Sequence, residues 1–114
     1  MRSRRTKITF PVFNGVSVHV LFSGDLKATG RRLRVDLSGA MAAYVPAGAD
    51  DTGPAAKRSY IVFGLDPDEA TVAHEASHAI RALMKFVGAK VDDENFAYHL
   101  DYLVGRIHKF MRKG

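Results

Sequence analysis

The segment from Asp66 to Gly88 constrains this chain most, because it carries the start signals, the apolar stripe and the stop signal of one helix. Asp66 can act as N-cap, and Pro67 suits the first helical position, where no amide hydrogen is needed. Glu69 stands three residues after the cap. Val72, Ala76, Ile80, Leu83 and Val87 recur at helical spacing and make one buried stripe, and Gly88 is a natural terminator. The pattern predicts a helix over about 67–87.

Within it lies His74-Glu75-Ala76-Ser77-His78, an H-E-x-x-H run. Helical residues four apart share a face, so the two imidazoles can grip one metal ion. Glu75, rotated from His74 by about 100°, flanks such an ion instead of ligating it. Two neutral nitrogens, an open position for water and a carboxylate to take its proton form the set a zinc hydrolase uses. His74 and His78 are therefore candidate Zn2+ ligands. Glu75 is the candidate general base, taking a proton from the zinc-bound water and passing it to the leaving amine. The bland reading makes each histidine a surface or satisfied core residue and Glu75 an exposed helix carboxylate. The chain has only five histidines and three glutamates, and three of these eight fall in the required order.

The chain has no cysteine, so neither a disulfide frame nor a thiolate site exists, and any metal must be held by His, Asp or Glu. That suits a catalytic site better than a structural one. The extended H-E-x-x-H-x-x-G-x-x-H motif is absent, because Arg81 and Met84 stand at its last two positions. The third ligand must come from elsewhere. Glu94 is the leading candidate, at the start of a second predicted helix over about 93–111, whose stripe is Phe96, Leu100, Leu103, Ile107 and Phe110. Asp92 and Asp93 compete, although capping that helix is their preferred role; His99 and Asp101 are further candidates. Asp101 could instead orient a ligating histidine through its far nitrogen. Tyr98, one turn after Glu94, is a candidate catalytic donor to the oxyanion of a tetrahedral intermediate, against the alternative of a core or rim tyrosine. His19, His99 and His108 are expected at the surface.

The first half reads as strands. Ile8, Phe10 and Val12 alternate, and Asn14-Gly15 is a hairpin signal. Val16, Val18, Val20 and Phe22 then share one side, with Ser17, His19 and Leu21 on the other. A polar turn at Thr29-Gly30 leads to a third alternating run, Leu33, Val35 and Leu37. Met41 to Val45 and Ser59 to Gly64 are further strands. Residues 46–57, rich in Ala, Gly, Asp and Pro, read as an exposed loop, either a tolerated insertion or the rim of a substrate site. The expected fold is α+β: a small antiparallel or mixed sheet in the N-terminal half packed against two C-terminal helices, all in one domain of 114 residues.

No apolar run approaches the length of a membrane span, and the basic N-terminus lacks the apolar stretch of a secretory signal, so a cytoplasmic protein is expected. The net charge of +5 is concentrated at the ends, in Arg2, Arg4, Arg5 and Lys7 and in Arg106, Lys109, Arg112 and Lys113. Weak contact with nucleic acid through these termini is one reading, and solvated ends are the other.

His74-Glu75-x-x-His78 followed by Glu94-Asn95-Phe96-Ala97-Tyr98 resembles the gluzincin class of zinc metallopeptidases, in minimal single-domain form. It is also similar to small H-E-x-x-H proteins encoded in bacteriophage genomes, for which the compartment is the host cytoplasm. The resemblance covers about Ile61 to Leu103. It implies a minimal zincin-like sheet beneath the motif helix, Glu94 as the helix-borne ligand, and an edge strand that holds a peptide or protein substrate by strand addition. The chain lacks the second domain that walls the cleft in larger gluzincins. Two competing readings stand beside the peptidase: a non-enzymatic basic protein of a phage or mobile element that binds nucleic acid or a protein partner, and a metal site that only pins the helices.

Overall fold

The computed structural model describes residues 3–13, 15–89 and 92–113. In chain order these form β1 (Arg4–Phe10), β2 (Val16–Phe22), α1 (Leu26–Leu33), β3 (Ala42–Val45), β4 (Ser59–Phe63), α2 (Glu69–Phe86) and α3 (Asp93–Arg112). The fold is α+β, as the sequence predicts. One four-stranded mixed sheet has the order β1-β2-β4-β3. β1 runs antiparallel to β2, β2 parallel to β4, and β3 antiparallel to β4, which leaves β1 and β3 at the edges.

Alternation along each strand divides the side chains between two faces. One face, with Ile8, Phe10, Val18, Val20, Ile61 and Phe63, meets the stripes of α2 and α3 in the main core. Val72, Ala76, Ala79, Ile80 and Met84 of α2 and Leu103 and Ile107 of α3 are fully buried there. The other face carries a smaller core, in which Val45, Tyr60 and Val62 of the sheet are covered by Leu33, Leu37 and Ala55. β4 has no exposed residue, because both cores close over it.

Three features depart from the sequence reading. β1 stops at Phe10, where Pro11 opens a 3-10 turn over Pro11–Phe13; Val12 lies in that turn and not in the strand. Proline has no amide hydrogen for the ladder. The Asn14-Gly15 hairpin signal falls partly outside the described residues. The expected turn at Thr29-Gly30 lies instead inside α1, whose N-cap Asp25 accepts from the Ala28 amide at 3.0 Å. Gly30 is required there: a β-carbon would lie 2.7 Å from the Val35 carbonyl oxygen and 3.1 Å from Leu37 Cβ. Leu33, Val35 and Leu37 therefore follow the end of a helix and form no strand. The third departure is at the start of α2. Asp68, not Asp66, is the N-cap and accepts from the Thr71 amide at 2.7 Å.

The end of α2 follows expectation, since Gly88 takes φ +73 and the Ala89 amide donates to the Met84 carbonyl at 2.9 Å. Asp92 caps α3, accepting from the Asn95 amide at 2.8 Å. Residues 46–57 form no rim around the motif. They fold under the smaller core, where Gly48 donates to the Ala55 carbonyl and Arg34 reaches Thr52 and Asp50.

Candidate metal centre on α2

Two periodicities meet on α2. Val72, Ala76, Ala79, Ile80 and Leu83 point into the core. His74, His78 and Arg81 lie on the exposed edge of the helix. Glu75 sits between these sets and is only 8% exposed. The two imidazoles face each other across one turn, with Nε2 atoms 3.3 Å apart and rings nearly perpendicular at 83°. A Glu75 carboxylate oxygen stands 3.9 Å from His74 Nε2, and this is the only ion-pair contact of Glu75 among the described residues. His74 and Glu75, but not His78, line an open hollow of about 450 Å³ together with Thr71 of α2 and Met41 and Ala42 at the start of β3. The sheet element beside the motif is an edge strand. That strand is β3, while β4 lies behind, one strand further in.

The donor set fits a metal in part. Two nitrogens held at about 2.0–2.1 Å from a tetrahedral zinc stand about 3.3 Å apart, and the Nε2 separation is 3.3 Å. The same separation serves a hydrogen bond in which one neutral imidazole donates to the other. Among the described residues no group of three or more His, Cys, Asp or Glu side chains forms that could hold an ion, so no third donor joins the pair.

Glu94 is not brought to it. α2 and α3 are antiparallel: the C-terminal end of α2 lies near Ser17 and Ser59, and α3 then runs along the sheet from Phe13, beside His99, to Phe22, beside Phe110. The Arg81 guanidinium lies 5.1 Å over the Phe96 ring and fixes the level of the two helices. Glu94 does not line the hollow and joins no group of metal-binding side chains with His74 and His78 among the described residues. It is exposed in the first turn of α3. Tyr98 is 67% exposed, its ring packs edge-on against His99, and it does not line the hollow. Asp92 is occupied as a cap; Asp93 and Asp101 are exposed on α3.

His99 and His19 correct the expectation of surface placement, while His108 is partly exposed on α3. His99 is 9% exposed, with its ring centroid 4.4 Å from that of Phe13, and burial holds its pKa below the ordinary 6.5. It is a core residue. His19 is half-buried against Tyr60, ring centroids 5.3 Å apart. Its pKa is lowered by burial first and then by Arg58, Arg5 and Lys7.

No helix among the described residues is long and apolar enough to cross a membrane. No protein-family model matches the chain, and neither the curated proteins nor the solved structures contain a match to it.

Proposed function

We propose that this chain is a zinc-dependent metallopeptidase of the gluzincin kind, in which Glu75 drives hydrolysis of a peptide bond. The observation that carries the reading is the pairing of His74 and His78 at the span of a tetrahedral ion, with the Glu75 carboxylate 3.9 Å from one of them. Bound between the histidines, zinc would supply Lewis acidity to the scissile carbonyl and to the attacking water. Glu75 would take the water's proton and deliver it to the leaving nitrogen. Glu75 lines the open hollow beside His74, so its carboxylate is placed where a substrate could reach it, which supports a chemical use for it.

β3 supports the substrate side. It is an edge strand, and residues at its start line the same hollow as His74 and Glu75. Its free edge can take an extended peptide as an added strand. Met41, 80% exposed beside the hollow, offers an apolar contact to a substrate side chain. The third ligand of this reading is the Glu94 that the resemblance implies, which the described residues do not bring to the histidine pair.

The test is hydrolysis of a fluorogenic peptide library by zinc-loaded protein. Glu75→Gln is expected to keep its metal and lose about 10²- to 10⁴-fold in rate, while Glu94→Ala weakens metal retention. Full metal occupancy with no cleavage of any peptide contradicts the reading, and undiminished occupancy in Glu94→Ala removes that residue from the ligand set.

A further inference from the structure

The sheet face opposite α2 and α3 is only half covered. α1 and residues 46–57 close over Tyr60, Val62 and Val45. Over β1 and the near half of β2 the register aligns Arg5 with Leu21, Lys7 with His19, and Thr9 with Ser17, and none of these is an acid. Arg58 precedes Ser59, which pairs with Val18 of β2, and Arg32 of α1 lines the hollow beside β1; both are exposed, as are Arg5 and Lys7. None of the four forms an ion pair with a carboxylate among the described residues. The register gathers Arg58, Arg5 and Lys7: Lys7 pairs with His19, Arg5 lies two residues along the same strand, and Arg58 precedes Ser59, the partner of Val18.

The charge expected at the N-terminus is thus divided by the strand. Arg4 points to the helix side, donating to the Phe110 carbonyl at 2.7 Å and lying 4.3 Å over the Phe110 ring, so it is tied into the fold. Arg5 and Lys7 point the other way and stand roughly 7 Å apart along β1.

Beside this cationic row is a hollow of about 370 Å³ with walls from Leu21, Leu33, Pro54 and Tyr60, completed by Arg5 and Arg32. Its size falls at the lower end of small-ligand sites. Apolar walls next to unpaired guanidinium groups suit a flat ring that carries a phosphate.

We infer that this face binds single-stranded nucleic acid, with the backbone following Arg5, Lys7 and Arg58 and an unpaired base entering the hollow between Arg5 and Arg32. The charge complements phosphate, and the hollow favours a single strand, because the bases of a duplex are stacked and paired and cannot enter. The inference does not depend on the metal centre, which lies across the sheet.

The test is fluorescence anisotropy of a labelled oligothymidylate of about twenty nucleotides, titrated at several salt concentrations with and without chelator. The wild-type chain is expected to bind with a strong salt dependence that chelator does not alter. It should prefer the single strand to a duplex of equal length. The triple variant Arg5→Ser, Lys7→Ser, Arg58→Ser changes only exposed positions and is expected to keep its melting temperature. Its log–log salt slope should shrink by about 2, near 0.7 per phosphate contact. Lys109→Ser with Arg112→Ser, at the end of α3, should leave the slope as it is. Equal losses from the two variants, no salt-dependent binding, equal or tighter binding to the duplex, or preference for phosphatidylserine vesicles or polyglutamate would each overturn the inference.

Discussion

The two faces of the sheet treat polar residues in opposite ways. On the helix side, α2 and α3 close a continuous core, and the motif's polar groups gather at one edge, where α2 passes β3. On the other side α1 covers part of the sheet, and cations are spread over the uncovered part. Convergence suits chemistry at a single atom, because a ligand set or a base acts only within bonding distance. Spread suits a long polyanion, whose charges repeat. One small sheet can hold both because its strands send alternate side chains to opposite faces.

The contrast between the cores can be tested by truncation. Phe63, fully buried between β4 and the helices, is expected to lose about 3–5 kcal/mol as Phe63→Ala. Leu37→Ala, in the smaller core, should lose about 2 kcal/mol. Chemical denaturation measures both, and a larger loss at Leu37 would make the α1 side the principal core. Glu75 gives the next effect. If its burial serves chemistry and not packing, Glu75→Gln should be as stable as the wild type or more stable by about 1 kcal/mol. A clear loss of stability would make it a structural residue. The Asp92→Ala cap removal at the head of α3 should lower stability by about 1 kcal/mol, seen as a shifted denaturation midpoint.

The smallest effect is the pH dependence. His99 and His19 have folded pKa values lowered from 6.5. Between the lowered value and 6.5 the unfolded chain binds protons that the folded chain does not, so stability falls as pH drops through that window and is full above it. His99→Phe should flatten the fall seen in denaturation midpoints between about pH 7 and pH 5. An unchanged slope would assign the titration to other groups.

Much of this architecture was legible in the residues. The stripe and glycine stop of α2, the cap and stripe of α3, the alternation in β1 and β2 and the short apolar run of β4 each follow from local pattern. α1 was hidden because Thr29 and Gly30 are poor helix formers, and because Leu33, Val35 and Leu37 alternate as a strand does. What places Gly30 in a helix is the close approach of Val35 and Leu37, which no local pattern reveals. The start of α2 moved by two residues because the segment Asp66-Pro67-Asp68-Glu69 offers two acids able to cap.

The candidate site divides in the same way. The histidine pair depends on spacing within one helix and could be read directly. Glu94 depends on how α3 slides against α2, and that level is set by packing such as Arg81 over Phe96. His99 was misplaced for a related reason, since its burial comes from Phe13, far away in sequence. The cationic face needed the strand register, because Arg4 and Arg5 are neighbours in the chain and lie on opposite sides of the sheet.

The most direct test of the metal centre is the zinc content of the purified chain, measured by elemental analysis for the wild type, His74→Ala and His78→Ala. About one zinc per wild-type chain, lost in both variants, is the expected result. Zinc absent from the wild type after equilibration, or retained equally by the two variants, would contradict it.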